Sequence, residues 1–484
     1  MKKLFIFLVS CFISQYCFAQ WEADFRLTDD PFTSTNYSKR GLASSGDTVH
    51  MVWSDDRDGN YEIYYKRSVD GEQTWGNDVR LTNRPFNSQN AAITVSGSTV
   101  HVVWNDDGDL NYEIYYKCSE DGGDSWGEDF RLTDTPGLTQ GPSITSSGSN
   151  IYLVYYDESE GWWEIFFQRS TDGGLTWEPA IRLTEDQAVS GNPSVCAVGP
   201  IVHVVWNDNR DMNKEIYYSR SEDEGETWDE ETRLTIADYD SWVPDIAAYE
   251  SDVYIVWVDG RDWDFGYYFT EIYFKHSSDG GLTWGEDTRL TNYAGNSEFP
   301  NLAVCGDGIF IVWQDNRIGN LLEIYYKYSF DGGDSWEPDT RLTYDPADSF
   351  YPFVSVSGTQ VNVTWTDFRD GNYEIYYKRD PTGNLNVGIE EVLMNSSAGP
   401  IYVYPNPASR QLTVSSQQSA VSGQRSAVRL SIVDLYGREI KEFEYISSFP
   451  YRIDISDLWD GLYILRVESE EGKSGSAKFL KIDE

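Results

Sequence analysis

Cysteine, histidine, methionine and positive charge are all scarce in this sequence. Its 484 residues include five cysteines, four histidines and four methionines, and 37 lysines and arginines stand against 80 aspartates and glutamates. The resulting net charge of −43 repels phosphate backbones and anionic membrane surfaces, so nucleic acid is excluded as an expected partner. Two of the cysteines, Cys11 and Cys17, fall in the first 20 residues, and Cys118, Cys196 and Cys305 are widely spaced. They form neither a disulfide framework nor a CxxC metal site. His50, His101, His203 and His276 stand apart from one another, and no HExxH or GxSxG occurs. The apolar run Leu4 to Ile13 is too short to cross a bilayer and no longer run follows it, so no transmembrane segment is expected.

What the chain has in quantity is aromatic residues, 18 Trp, 34 Tyr and 22 Phe. A chain so supplied has apolar surface to bury and folds despite its charge. Met1-Lys2-Lys3, the short apolar run and Phe18-Ala19 before Gln20 read as a cleaved signal peptide over residues 1–19.

Internal repetition is the dominant signal. A box Ser-x-Asp-x-x-x-Thr/Ser-Trp ends at Trp75, Trp126, Trp177, Trp228, Trp284 and Trp336, at spacings of 51, 51, 51, 56 and 52 residues. Each period holds four short segments rich in Val, Ile, Tyr and Trp, the content of one propeller blade. A second strand ending in Asp occurs seven times, at Asp55, Asp106, Asp157, Asp208, Asp259, Asp315 and Asp367. Arg-Leu-Thr, marking the fourth strand, also occurs seven times, but its first copy, at Arg26, precedes any complete blade. The last period stops at Asp380 with no box tryptophan and no fourth strand. The two defects complement each other, so Trp21 to Thr28 is expected to close the ring as the outer strand of blade seven. The expected fold is all-β, a seven-bladed propeller over residues 20–380, a linker over 381–400 and a small C-terminal β-sandwich over 401–484.

Residues 21–380 resemble the BNR/Asp-box propellers, the repeat type of sialidases and their relatives. The resemblance implies that Asp70, Asp121, Asp172, Asp223, Asp279 and Asp331 stabilise the turn between third and fourth strands and carry no chemistry. The tail, with Tyr404-Pro405-Asn406-Pro407, Leu430 to Ile440, Ile453 to Val467 and Lys478 to Ile482, resembles the C-terminal sorting domain of the type IX secretion system. That implies handling by the type IX machinery and an extracellular or outer-surface location.

A sialidase needs three convergent arginines at unique positions, whereas the arginines here recur by blade position apart from Arg40 and Arg84. No catalytic residues are therefore assigned. The repeat breaks most visibly in blade five, which carries an insertion with Trp263, Asp264, Phe265, Tyr267 and Tyr268 and a preceding loop with Tyr239, Asp240 and Trp242; blade three adds Trp162 and Trp163. Aromatic faces beside carboxylates suit sugar rings. These ten residues are the expected ligand site, and the expected function is carbohydrate recognition, of a glycan or another extracellular polymer. A glycoside hydrolase of non-sialidase type is the alternative, and a protein-binding scaffold the third. No cofactor is required by this reading; Asp56 to Asn60 and Asp367 to Asn372 could form calcium loops, but the interposed arginines point instead to Asp–Arg bracing.

Overall fold

The computed structural model describes residues 21–71, 74–108, 111–159, 161–185, 187–262, 269–319, 321–358, 360–381, 401–404, 411–416, 428–433, 439–446, 451–456, 458, 461–469 and 474–481. The signal-peptide reading and most of the linker lie outside these residues. Residues 21–381 form one compact unit.

That unit is seven antiparallel sheets in chain order. Blade two shows the pattern, with an inner strand Ser88–Ser96, a second strand Thr99–Asp106, a third strand Glu113–Ser119 and a two-residue outer strand Phe130–Arg131. The second strands are continuous apolar runs because neighbouring blades cover both their faces. Val100, Val102, Val103 and Trp104 have no exposed surface. The third strands place a buried Glu against the Thr and Arg of Arg-Leu-Thr: Glu113 accepts from Thr133 Oγ1 at 2.5 Å and from Arg131 at 3.0 Å. The bond recurs in the other blades and ties the outer strand to the sheet.

The ring closes with the N-terminal strand. Phe25–Arg26 pairs with the third strand of blade seven, Phe25 opposite Tyr377 and Arg26 opposite Tyr376, and Arg26 donates to Glu374 at 2.6 Å. Each box tryptophan packs edge-on against an aromatic ring of the preceding blade, as Trp126 does on Tyr65 at 4.9 Å and Trp177 on Tyr116 at 5.2 Å. Trp21 packs in the same way on Tyr326 of blade six, at 5.0 Å and 81°. It supplies the tryptophan that blade seven lacks.

The C-terminal strands form two antiparallel sheets. Ile401–Tyr404, Gln411–Ser416 and Tyr451–Asp454 make one; Val428–Val433, Glu439–Ile446, Gly461–Ser469 and Ser474–Lys481 make the other. Leu430, Ile432, Ile453, Ile455 and Leu465 are buried, giving this small β-sandwich its own core.

Candidate functional site

Most of the polar side chains that recur from blade to blade are consumed by the scaffold. In each box the Asp receives three bonds: Asp172 accepts from Ser170 Oγ at 2.8 Å, Thr176 N–H at 2.9 Å and Thr176 Oγ1 at 2.6 Å. The Thr176 and Ser170 bonds hold its pKa down to about 2, as the equivalent bonds do for Asp121, Asp223 and Asp279. Asp331 and Asp70 take the same bonds. Three of the four histidines face tyrosine hydroxyls inside the sheets, His50 with Tyr65, His101 with Tyr116 and His203 with Tyr218, at 2.7 to 2.8 Å. Burial lowers each pKa to about 4, so all three are neutral.

On the opposite face from the box turns, the second-strand Asp organises the loops. Asp55 accepts from Ser34 Oγ at 2.8 Å, Trp53 Nε1 at 2.9 Å and Arg57 Nε at 2.7 Å; Arg57 also reaches Asp78 at 2.8 Å and lies 4.4 Å over the Tyr64 ring. Burial alone would raise the Asp55 pKa, but the Arg57, Trp53 and Ser34 bonds bring it below the usual range. Arg210, Arg261, Arg317 and Arg369 repeat the brace in blades four to seven. In blade two Arg84, arriving from the preceding loop, replaces it, 3.1 Å from Asp106 and 4.5 Å over Tyr115. The would-be calcium loops are part of this brace: Asp56 accepts the Thr33 N–H at 2.7 Å, Asp58 the Tyr64 hydroxyl, and Asp370 the Tyr376 hydroxyl at 2.6 Å. Among the described residues, no group of three or more His, Cys, Asp or Glu is arranged to hold a metal ion.

The inner strands leave this regularity at the mouth of the ring axis. Their first residue is Ser, or Thr139 in blade three, and bonds the second-strand Asp of its own blade. The next residue is Thr35, Gln89, Gln140, Gly191, Trp242, Glu298 or Phe350. A bulge follows in blades two to seven, where Asn90, Gly141, Asn192, Val243, Phe299 and Tyr351 have φ between 51° and 62°. For Val243 and the two aromatics that conformation is strained, and such strain collects at functional sites. Blade one breaks the pattern further, its inner strand interrupted between Ser34–Thr35 and Leu42–Ser45. The excursion carries Lys39 and Arg40 across the axis: Lys39 Nζ donates to Asn192 O at 3.0 Å and Pro244 O at 2.7 Å, and Arg40 to Ile246 O at 2.7 Å, with Asp245 3.7 Å away. Asp245 also accepts from Ser194 Oγ at 2.7 Å and Asn301 Nδ2 at 2.9 Å. Burial lowers the Lys39 pKa to about 8.

Above this crosslink stands an aromatic cluster. Tyr37, more than half exposed, meets the Tyr351 ring edge-on at 4.8 Å, and Tyr351 also touches Phe299 at 5.0 Å and Phe350 at 5.1 Å. Beside Tyr37 is a depression of about 260 Å³ lined by Thr35, Tyr37, Ser54, Gln89, Asn90, Tyr112 and Gln140.

Residues 50–312 match the family model of the BNR repeat-like domain. The chain belongs to that family. Residues 402–481 match the secretion system C-terminal sorting domain, so this BNR propeller is exported through the type IX system to the cell surface or the extracellular space. Among solved structures it is similar to polysaccharide lyase Uly1, with a TM-score of 0.51 at 12% identity over 74% of this chain and 99% of that one. It is also similar to the Hadza microbial sialidase Hz136, with a TM-score of 0.41 at 14% identity over 67% and 74% of the two chains. An α-L-arabinofuranosidase from Fusarium graminearum gives a TM-score of 0.41 at 14% identity over 58% and 89%. At such identities the likeness speaks to fold alone. No curated protein matches the chain.

Of the residues singled out from the sequence, those described are Trp162 and Trp163 of blade three and Tyr239, Asp240 and Trp242 of blade five. Trp242 is the second residue of its inner strand, paired with Val258 and packed on the core shared by blades five and six, so it belongs to the axial mouth. Tyr239 gives its carbonyl to Asn213 at 2.8 Å. Asp240 accepts the Lys214 N–H at 2.9 Å, the service that Asn87 and Asp348 perform in blades two and seven, so one of its oxygens is scaffold. Trp163 packs edge-on against Tyr156 at 5.0 Å, and Trp162 is 48% exposed. Trp263, Asp264, Phe265, Tyr267 and Tyr268 lie outside the described residues. Sequence reasoning missed Tyr37, Gln89, Asn90, Tyr112, Glu298 and Tyr351. The available signal was the run of unlike residues after the invariant first Ser or Thr of each inner strand.

Proposed function

We propose that this exported BNR propeller binds carbohydrate at the axial mouth of its loop face. The observation that carries the reading is the contrast at that mouth between an invariant frame and unmatched contents. The seven Ser/Thr–Asp bonds hold the inner strands alike. The side chains they present are nevertheless unlike one another, and they combine the exposed Tyr37 face with amides and hydroxyls. An apolar ring face edged by hydrogen-bonding groups suits a sugar, which offers C–H faces and hydroxyls. The Lys39 and Arg40 crosslink lies across the axis, so a ligand meets a floor and enters by an end or a side branch. Screening the purified protein on a glycan array tests the reading. Binding weakened by Tyr37→Ala supports it, and the absence of any glycan binding refutes it.

A glycoside hydrolase of non-sialidase type is the second reading, favoured by Glu298. This carboxyl sits at the mouth, and burial raises its pKa, partly offset by a hydrogen bond with Gln314, which suits a general acid. A second carboxylate would be needed at about 5–10 Å, and Asp245, buried below the mouth, is bound by Ser194, Asn301 and the Leu302 N–H. Turnover of chromogenic glycosides that disappears in Glu298→Gln would establish this reading over simple binding.

A further inference from the structure

Resting on the carbohydrate reading, we infer that the depression between blades one, two and three takes an uncharged sugar unit and discriminates against carboxylated or sulfated ones. Its lining is unusual for a chain of net charge −43. The seven residues, Thr35, Tyr37, Ser54, Gln89, Asn90, Tyr112 and Gln140, offer two hydroxyls, two phenols and three amides, with no acid, lysine, arginine or histidine. The cations nearest in sequence, Lys39 and Arg40, are committed to the carbonyls of Asn192, Pro244 and Ile246 across the axis. Arg84 is committed to Asp106 and the Tyr115 ring.

Two physical consequences follow. A carboxylate or sulfate placed here would lose hydration without gaining a cation, a heavy penalty in a partly enclosed site, and it would approach against the field of the whole molecule. A neutral sugar meets the reverse situation. Among the described residues no protein group bonds the side chains of Gln89, Asn90, Ser54 or Tyr112, and Gln140 has only a long 3.5 Å contact from the Tyr156 hydroxyl. These donors and acceptors are open to hydroxyls, which both donate and accept. Asn90 is held in the left-handed region at φ 58° by its bulge, a conformation asparagine adopts readily, and its side chain lines the depression. Tyr37, braced by Tyr351, supplies the stacking face.

The experiment compares matched ligands by calorimetric titration of the full chain: neutral hexose and pentose oligosaccharides against their uronate and sulfated counterparts. Asn90→Gly keeps the backbone conformation and removes the amide; Gln89→Ala and Tyr112→Phe remove single polar groups. Neutral ligands are expected to bind at least tenfold more tightly than acidic ones, and each variant to lose at least threefold in affinity for the neutral ligand with an unchanged melting temperature. Acidic ligands bound as tightly as neutral ones, or neutral binding unaltered in all three variants, would overturn the inference while leaving carbohydrate recognition standing. No binding of either set would remove both.

Discussion

The three buried histidines make acid stability a direct reading of the interior. His50, His101 and His203 are each 2% exposed, and burial lowers their pKa values to about 4, whereas an unfolded chain would titrate near 6.5. The folded pKa is the lower, so as pH falls the unfolded chain takes up protons first. Their contribution is complete above about pH 6.5, declines through the window down to pH 4, and is constant below it. A pKa lowered from near 6.5 to about 4 is worth about 3 kcal/mol per histidine at saturation, and at pH 5.5 the loss is about 1 kcal/mol each, about 4 kcal/mol for three. That is a large share of the roughly 5–15 kcal/mol by which domains are stable. Blade seven supplies the control substitution: Asn362 stands at the histidine position and accepts the Tyr377 hydroxyl at 2.7 Å. His101→Asn should therefore keep the acceptor and remove the titration, and the triple variant with His50→Asn and His203→Asn should remove the step altogether. Buried glutamates whose pKa burial raises, such as Glu164 and Glu323, act in the opposite sense, but they are common to wild type and variant and cancel in the difference. Calorimetric melting of wild type and triple variant between pH 8 and pH 5 checks this. Parallel pH profiles for the two proteins would refute the argument.

Deleting Trp21 to Thr28 strips blade seven of its outer strand, uncovers Tyr326 and leaves buried Glu374 without Arg26 and Thr28, so a loss of several kcal/mol and edge-driven aggregation are expected in melting and light-scattering measurements. Gly174→Ala would place a Cβ 1.9 Å from the Tyr116 hydroxyl at φ +87°, whereas Gly173→Ala meets open space at φ +77°. The second should cost about 1–2 kcal/mol for its backbone alone and the first clearly more, compared by denaturant titration. Trp242→Ala should weaken glycan binding by about 1–3 kcal/mol and, because its ring packs on the core of blades five and six, lower the melting temperature as well, while Trp177→Ala should cost about 3–5 kcal/mol of stability and leave the affinity of the folded fraction intact.

The ring was legible because each blade repeats its own instructions: an Asp that ends the second strand, a Glu that opens the third, and Arg-Leu-Thr for the outer edge. Trp21 shows how far this reaches. The sequence places it at the wrong end of the chain, yet the missing box tryptophan of blade seven identifies its destination. Arg84 marks a limit. As a non-repeated arginine it stands apart in the sequence, but it reaches the blade-two Asp from a different loop and performs the repeated task. The lengthened inner strand of blade one escaped notice for a definite reason. It precedes the first box tryptophan, Trp75, so no spacing between tryptophans reports it. The insertion of blade five, by contrast, appears directly in the 56-residue spacing.

The same blade-one excursion explains why the axial mouth can be asymmetric in a ring of near-identical sheets. Seven equal inner strands would present equal side chains to the axis, with no single partner for any of them. Here Asp245 alone collects Arg40, Ser194, Asn301 and the Leu302 N–H, joining blades one, four, five and six through one carboxylate. Asn301 in turn donates to the Lys39 carbonyl at 3.3 Å and accepts the Val354 N–H at 2.8 Å, extending the network to blade seven. A buried carboxylate with this many donors fixes their geometry, because removing any one of them leaves charge or dipole unanswered in a dry site. The strands bearing Trp242, Glu298 and Tyr351 are therefore positioned by contacts below the mouth. The side chains at the mouth itself are left free to differ, and that freedom is what recognition of a single asymmetric ligand requires.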